Sequence, residues 1–264
     1  MKNSFLYLFA TLIIVAFASC GGGKQKSEKE ESVNAYYLHA EKIYLCDGIK
    51  KEAAVLNITD NPIQEFWLSP KQDFIAFKQL TYQQDCLELS SLGIYDLAKK
   101  EIIAELGKDG NNQIGFFKWI EDNRLVLSMN TLSELDAHES FDPQNYEYTI
   151  GEEMKPNESE AWGDDSVFME AAFGNPQYNL FPTEQGVEVN SKENENLMII
   201  SVNDDDIMDY TVWAWLNENE FVYSVRHQYQ AQCDNPPQDT YFYNIKEKKN
   251  TLFMKDASYF QIVK

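Results

Sequence analysis

Basic residues are scarce in this 264-residue chain. It has 22 lysines and arginines against 43 aspartates and glutamates, which gives a formal net charge of −21. A surface this acidic repels phosphate backbones and anionic headgroups. The imbalance therefore argues against nucleic acid as a partner. It also argues against attachment to a membrane through a basic patch.

Cysteine and histidine are also few, at four and three residues. No Cys-x-x-Cys pair occurs, and His39, His138 and His227 are scattered along the chain, so no metal-ligand spacing is present. The run Asn203–Asp206 offers oxygen ligands for calcium, but it lacks the alternating spacing and the glycine of an EF-hand loop. We predict a solvated turn there, and neither a metal nor a cofactor.

The familiar catalytic signatures are missing. The chain has no G-x-S-x-G, no H-E-x-x-H, no Walker loop and no G-x-G-x-x-G. Glycoside hydrolysis needs two carboxylates about 5–9 Å apart, and among 43 acidic residues the sequence cannot nominate a pair. No catalytic residue is predicted.

Long apolar runs are absent too. The most apolar stretch, Phe5–Ala18, follows Lys2 and has about 14 residues, whereas a transmembrane helix needs roughly 20. A positive start, a short apolar region and the small residues Ala18 and Ser19 describe a secretory signal peptide. The stretch Phe17–Cys20 resembles a bacterial lipoprotein signal, although Phe17 stands where an aliphatic residue is usual.

The lipoprotein resemblance implies removal of residues 1–19 and acylation, including palmitate, of Cys20. The membrane would then be a partner through this lipid, because two or more acyl chains anchor stably. The expected location is the bacterial cell envelope, on the outer membrane and facing the periplasm or the surface. An ordinary signal peptide with a coincidental cysteine is the alternative. Residues 20–33, in which three glycines and a polar stretch follow Cys20, are predicted to be a flexible tether.

From Asn34 onward, short aromatic and β-branched runs alternate with turn residues, which predicts an all-β body. The clearest strands are Tyr36–Leu38, Lys42–Leu45, Phe74–Phe77, Arg124–Ser128 and Glu220–Ser224.

Internal repeats predict how these strands are organised. Trp119–Ser128 and Trp215–Ser224 share Trp, Asn, Val and Ser at an offset of 96 positions, or two units of 48, and Trp67–Phe77 is a looser copy. A second repeated element, a strand followed by a lysine-rich turn, occurs at Ile94–Glu101 and Phe242–Asn250. A weaker copy spans residues 43–52.

The stretches Ser69–Asp73, Ile75–Phe77 and Tyr95–Leu97 resemble β-propeller repeats of the periplasmic Tol-system propeller and of prolyl oligopeptidases. This resemblance implies that residues 34–264 form a single β-propeller, and a repeat of about 48 residues implies five blades. Tyr259–Val263 is expected to pair with Asn34–Leu38 and close the ring. A β-sandwich or an open meander is the alternative. The resemblance to prolyl oligopeptidases is expected to stop at the propeller and not to include their hydrolase domain.

The centre of the chain fits the repeat poorly. Residues 130–165 are rich in acidic side chains and poor in apolar anchors, which predicts an acidic excursion from one blade. Residues 178–202 regain strand character and are predicted to form most of a divergent fourth blade.

A Tyr-Gln-x-x-Cys motif occurs twice, at Tyr82–Cys86 and Tyr229–Cys233. Both copies follow an aligned strand by the same distance, so both are predicted on one face of the propeller. One interpretation is a binding rim formed by Tyr82, Gln83, Arg226, His227, Tyr229 and Gln230. The other is inheritance from blade duplication, with Cys86 and Cys233 joined in a disulfide or merely buried, and with Cys46 as a thiol near a turn.

These observations favour a membrane-anchored lipoprotein whose propeller is a binding or scaffolding module for an envelope protein or a glycan. The alternative is a propeller-fold enzyme that acts on a glycan through paired carboxylates. A small-ligand carrier, which would need an enclosed apolar cavity, is a third option. Two converging carboxylates at the funnel floor would favour the enzyme, and an apolar or tyrosine-rich floor would favour binding.

Overall fold

A computed structural model describes residues 34–47, 54–84, 87–132, 143–157, 175–193, 198–204, 206–228 and 236–263. The chain divides into two units, Met1–Glu31 and Ser32–Lys264, and all the described residues belong to the second. They contain nineteen β-strands and no helix, so the all-β prediction is confirmed for them. Within these residues nothing has the helical length and apolarity required to cross a membrane.

The strands form five antiparallel sheets of three or four strands, which we label A to E. Sheet A has the order β19-β1-β2-β3, and sheet B has the order β4-β5-β6-β7. The strands of sheet A are β1 (Asn34–His39), β2 (Lys42–Asp47), β3 (Ala54–Leu56) and β19 (Ala257–Ile262). Those of sheet B are β4 (Ile63–Leu68), β5 (Phe74–Gln84), β6 (Leu87–Asp96) and β7 (Glu101–Leu106).

Sheets C, D and E follow in chain order. Sheet C contains β8 (Asn112–Glu121), β9 (Arg124–Thr131), β10 (Gln144–Thr149) and β11 (Lys155–Pro156). Sheet D contains β12 (Tyr178–Thr183), β13 (Gly186–Ser191) and β14 (Met198–Ile200). Sheet E contains β15 (Ile207–Asn217), β16 (Glu220–His227), β17 (Gln238–Asn244) and β18 (Lys249–Met254).

The repeats coincide with equivalent hairpins. Trp119 opposes Leu125 across β8 and β9, and Trp215 opposes Phe221 across β15 and β16. The lysine-rich turns after β6 and β17 also match, because Lys100 and Lys248 both have a left-handed backbone, with φ of 58° and 49°. These local elements were therefore predicted correctly.

The C-terminal strand pairs with the N-terminal one, as predicted. Strand β19 runs antiparallel to β1, with Ile262 opposite Ala35 and Ala257 opposite His39. Because β1 also pairs with β2, the two ends of the 34–263 body share sheet A. We refer to β19 as the closing strand.

Apolar side chains pack between neighbouring sheets in four clusters. The clusters join sheets A and B, B and C, D and E, and E and A. The most completely buried large side chains are Trp119, Tyr223, Phe66, Phe77, Phe117, Phe221 and Phe260. Among the described residues no such cluster joins sheets C and D. The arrangement is propeller-like, with four such packed junctions.

Sheet D begins one strand later than its neighbours. In sheets B and E the turn between the first two strands lies at the end remote from Arg226. In sheet B this turn contacts sheet C, because Lys71 N donates to Asp122 Oδ1 at 2.7 Å. In sheet D the β12–β13 turn instead lines a cavity with Arg226, and Asn175, just before β12, donates to the carbonyl of Glu218 in the remote turn of sheet E. The described strands of sheet D therefore match the second to fourth strands of the other sheets.

The described part of the acidic 130–165 region is ordered as sheet. Residues 144–149 and 155–156 are strands β10 and β11, and Tyr148 is buried against the B–C core. Residues 133–142 and 158–174 lie outside the described residues. Residues 178–200 supply all three strands of sheet D, in agreement with the predicted divergent fourth unit.

Candidate binding cleft

A cleft of about 1090 Å³ opens at one end of sheets A, B and E. Its walls come from the β5–β6 hairpin and from residues 226–228 and 236–239, and its base comes from sheet A between them. The lining residues include His39, Glu41, Gln64, Gln83, Glu88, Asp204, Asp206, Arg226, His227, Gln228, Gln238, Asp239, Lys255, Asp256 and Tyr259. We call this cavity the binding cleft.

The depth of the binding cleft follows from unequal loop lengths. Strands β1 and β2 are joined by the two-residue turn Ala40–Glu41, in which both residues have positive φ, 45° and 61°. Such turns match the twist of a hairpin but normally favour Asn or Gly. On sheet B, by contrast, β5 and β6 stay paired as far as Gln84 and Leu87. The base is therefore low and the adjacent wall is tall.

A second cavity of about 550 Å³ adjoins the first toward sheet D. The two cavities share Arg226, Gln238 and Tyr259, and the second also contacts Trp213 and Asp209. Arg226 thus stands between the cavities. It donates from Nε to Asp209 Oδ2 at 3.0 Å, and its Nη2 contacts the same oxygen.

Three aromatic rings from three sheets pack together beside these cavities: Tyr259 lines both cavities, Trp213 lines the second, and Trp67 packs against these two rings. The ring centroids of Trp213 and Tyr259 are 5.5 Å apart, those of Trp67 and Tyr259 are 6.0 Å apart, and those of Trp67 and Trp213 are 6.4 Å apart. They come from β15, β19 and β4, the first strands of sheets E, A and B. We call this group the aromatic floor.

Tyr259 reaches the aromatic floor through an irregular backbone. Its φ is 53°, a left-handed value that is rare for a bulky residue, and the β1–β19 register shifts at this point. Burial raises the pKa of the Tyr259 hydroxyl, and the charge of Glu65 adds to this while that of Arg226 opposes it. The phenol therefore remains a neutral hydrogen-bonding group at physiological pH.

Glu65 is the carboxylate closest in sequence to the aromatic floor. It accepts a hydrogen bond from Trp67 Nε1 at 2.7 Å. Burial raises its pKa, while the Trp67 bond and the charge of Lys78 oppose that rise. Burial also lowers the pKa of the Lys78 ammonium. Glu65 is thus part of the support of Trp67.

Hydrogen bonds engage the carboxylates on the walls. Glu88 accepts from Gln64 Nε2 at 2.7 Å and from Gln83 Nε2 at 3.3 Å. Asp239 Oδ1 accepts from the backbone N–H of Asp256 at 3.1 Å, and this bond ties β17 to the turn before the closing strand.

His227 lies between two carboxylates on the E side. Its Nδ1 is 3.7 Å from Asp204 Oδ2, and its Nε2 is 3.5 Å from Asp239 Oδ2. The ring therefore bridges the loop before β15 and strand β17. On sheet A, His39 Nδ1 is 2.9 Å from the carbonyl oxygen of Asp256.

Across the described ranges no group of three or more His, Cys, Asp and Glu side chains is arranged to hold a metal ion. Asp204 Oδ1 accepts from the backbone N–H of Asp206 at 3.0 Å, a bond that stabilises a turn. This agrees with the turn predicted for Asn203–Asp206, of which Asp205 lies outside the described residues.

Three residues of the predicted rim line the binding cleft together: Gln83, Arg226 and His227. Tyr82 is next to Gln83 on β5 and is 45% exposed. Tyr229 and Gln230 lie outside the described residues, as do Cys86 and Cys233, so that disulfide stays a prediction. Cys46 is a fully buried thiol near the end of β2. Cys20, the signal segment 1–19 and the tether 20–33 also lie outside the described residues.

No local sequence signal predicted the aromatic floor. Trp67 and Trp213 alternate along their strands with the buried Phe66 and Val212, and Tyr259 precedes the buried Phe260. Alternation predicts that such residues point away from their own sheet's main cluster. Only the convergence of three sheets brings them together.

No family model matches the chain, and no curated protein matches it. Among solved structures, a eukaryotic initiation factor is 12% identical with a TM-score of 0.31, over 87% of this chain and 52% of that one. The tricorn protease is 14% identical with a TM-score of 0.34, over 84% of this chain and 21% of that one. A conserved lipoprotein from Clostridium novyi NT is 12% identical with a TM-score of 0.29, over 81% and 96%. This chain thus spans about half the length of the initiation factor and a fifth of the protease.

Proposed function

We propose that this protein is an envelope lipoprotein, anchored through Cys20, whose β-propeller binds a protein or a glycan in the binding cleft. The observation that carries the proposal is the aromatic floor, in which Tyr259 lines both cavities, Trp213 lines the second, and Trp67 packs against both rings. Aromatic surface with convergent polar groups around it is typical of binding sites. A glycosidase would instead need two carboxylates facing each other across the substrate.

Three carboxylates of this region already have hydrogen-bond or ion-pair partners. Glu65 accepts from Trp67, Asp209 pairs with Arg226, and Glu88 accepts from two glutamine amides. Groups held in this way position side chains around a ligand. The glycan-active enzyme is therefore the weaker candidate.

The proposed architecture is a closed ring of five blades. It is supported by five sheets, by packed cores at four junctions and by the pairing of β1 with β19. Closure by a shared sheet protects the edges that an open array would expose. In this ring the fifth junction lies between sheets C and D.

The anchor is tested by Cys20→Ser. The variant is expected to leave the membrane fraction or to accumulate as unprocessed precursor, because a serine cannot carry the thioether-linked lipid. Cell fractionation and immunoblotting measure both outcomes, and Cys86→Ser is the matched control. Unchanged processing and membrane association of Cys20→Ser would refute the lipoprotein assignment.

Binding in the cleft is tested by photo-crosslinking in cells. Benzoylphenylalanine at Gln83 or at Gln228, both in the cleft lining, is expected to give adducts. The same group at Glu247, in the exposed turn between β17 and β18, is expected to give none. Adducts that yield peptides of a second protein by mass spectrometry indicate a protein partner, and adducts whose added mass is removed by glycosidases indicate a glycan.

Two results would overturn the binding function. One is an equal adduct yield, or no adducts, at all three positions. The other is turnover of glycoside substrates by the intact protein that disappears in Glu65→Gln, since that result would assign catalysis to the floor carboxylate.

A further inference from the structure

We propose that the binding cleft takes a basic segment of a protein partner, with an apolar contact on the adjoining hairpin; this rests on the binding function proposed above. The cleft lining carries an excess of negative charge, and the hairpin exposes apolar area. Together they favour a polypeptide over a glycan.

The cleft lining has an excess of negative charge. It includes six carboxylates, those of Glu41, Glu88, Asp204, Asp206, Asp239 and Asp256, against the two cations Arg226 and Lys255. The charge of Arg226 is already matched by Asp209, which lies outside this group of six. Hydrogen bonds from neutral glutamine amides to Glu88 leave its charge in place. The uncompensated field therefore attracts cations.

A concave site strengthens this field. Low-dielectric walls focus the potential of like charges that line a cleft, which raises both the association rate and the selectivity for a partner of opposite charge. Glu41, Asp206 and Asp256 are exposed on three separate segments around the opening. A cationic segment that enters the cleft would therefore contact carboxylates of three segments.

The β5–β6 hairpin adds an apolar surface at the same rim. Tyr82 and Leu87 are 45% and 38% exposed, although both belong to a paired two-stranded extension of sheet B. Gln83 and Glu88, which follow them along β5 and β6, line the cleft, so Tyr82 and Leu87 lie on the other face of the hairpin. A segment that leaves the cleft over this wall would contact them. Aromatic residues beside a polar groove are typical of protein interfaces, where a few such side chains supply most of the affinity.

The test uses the full-length protein in detergent and two synthetic nonapeptides. The basic peptide alternates lysine and arginine with serine and ends in tryptophan, and in the acidic peptide glutamate replaces every basic residue. Fluorescence anisotropy is expected to show binding of the basic peptide only. The affinity is expected to fall as sodium chloride rises from roughly 50 to roughly 500 mM, because screening shortens the range of the field.

Matched charge variants locate the binding. The triple variant Glu41→Gln, Asp206→Asn, Asp256→Asn is expected to bind the basic peptide about tenfold more weakly, as expected for the loss of three partly exposed ion pairs. The control Glu101→Gln, Glu153→Gln, Glu247→Gln changes the net charge equally at exposed sites that do not line the cleft. It is expected to bind like the parent.

A second pair of variants tests the hairpin. Leu87→Ser is expected to weaken binding of the tryptophan-bearing peptide, whereas Leu252→Ser, at a residue of similar exposure on β18, is expected to leave it unchanged. The two variants have the same chemistry, so a general effect of lost surface apolarity would appear in both.

Three results would overturn the inference. Equal weakening by both triple variants would mean general attraction to an acidic chain. Absence of peptide binding would remove the basic segment as ligand. Binding of chitotetraose in place of the peptide, abolished by Tyr259→Ala, would assign the cleft to a glycan. In the last two cases, adducts specific to Gln83 and Gln228 would still support the binding function.

Discussion

Deletion of residues 257–264 is expected to abolish cooperative unfolding of the 34–263 body. The closing strand contributes Phe260 and Ala257, each 1% exposed, to the core between sheets E and A. It also links sheets A and B, because Gln261 accepts from the backbone N–H of Leu68 at 2.8 Å and donates to the carbonyl of Phe66 at 2.9 Å. Without it, β1 becomes an open edge.

The same strand can be weakened without shortening the chain. Phe260→Ala is expected to lower the free energy of unfolding by about 3–5 kcal/mol, the usual cost of removing a buried phenylalanine. Leu252→Ala, on the 43% exposed Leu252 of the neighbouring β18, is expected to cost less than about 0.5 kcal/mol. Thermal and denaturant melts followed by circular dichroism measure both. A deletion variant that melts like the parent would contradict ring closure by β19.

Gly93→Ala is expected to lower the melting temperature by about 5 °C, which corresponds to about 2 kcal/mol of overpacking. Gly93 lies opposite Phe77 in the β5–β6 ladder, and the Phe77 ring covers it. A Cβ added at Gly93 would come within 2.2 Å of Phe77 Cζ, and Phe77 is fully buried. Because the ring is enclosed, it cannot rotate away without disturbing sheet B.

A double variant identifies the clash as the cause. Phe77→Leu removes the atoms that a Cβ at Gly93 would meet, so Gly93→Ala should cost much less in that background than in the parent. Calorimetry of the four proteins gives the coupling free energy. Strictly additive costs would show that the glycine is needed for another reason.

Local sequence signals predicted the strands that belong to the repeats. The apolar runs Arg124–Ser128 and Glu220–Ser224 with their preceding tryptophans coincide with hairpins, since the strand residues and the turn residues are encoded within about ten positions. The pairing of Tyr259–Val263 with Asn34–Leu38 was also predicted, because a repeat leaves a surplus strand at one end and a deficit at the other.

Local signals could not predict that the described strands of sheet D match the second to fourth strands of the other sheets. This correspondence follows from the position of the β12–β13 turn near Arg226 and from the bond between Asn175 and Glu218, and both are contacts between sheets. The left-handed backbone of Tyr259 was equally hidden, because nothing local favours positive φ for a tyrosine.

The binding cleft was predictable in part. Gln83, Arg226 and His227 were selected because duplicated strands place equivalent loops on one face, and that logic needs only the repeat. The aromatic floor was missed because Trp67, Trp213 and Tyr259 come from three sheets and are separated by more than 40 residues along the chain. The distance between them is set by packing of whole sheets.

Because both ends of the 34–263 body lie in sheet A, they also determine the direction in which a pulling force would act on this sheet. Asn34 and Ile262 lie at one end of sheet A, whereas His39 and Ala257 lie at the other, beside the cleft. A force applied through the residues before Asn34 therefore pulls β1 lengthwise, in shear, against its two neighbours β2 and β19, and so strains their hydrogen bonds together. The force acts at the end of sheet A remote from the binding cleft. A reporter fused after residue 264 would lie at that same end.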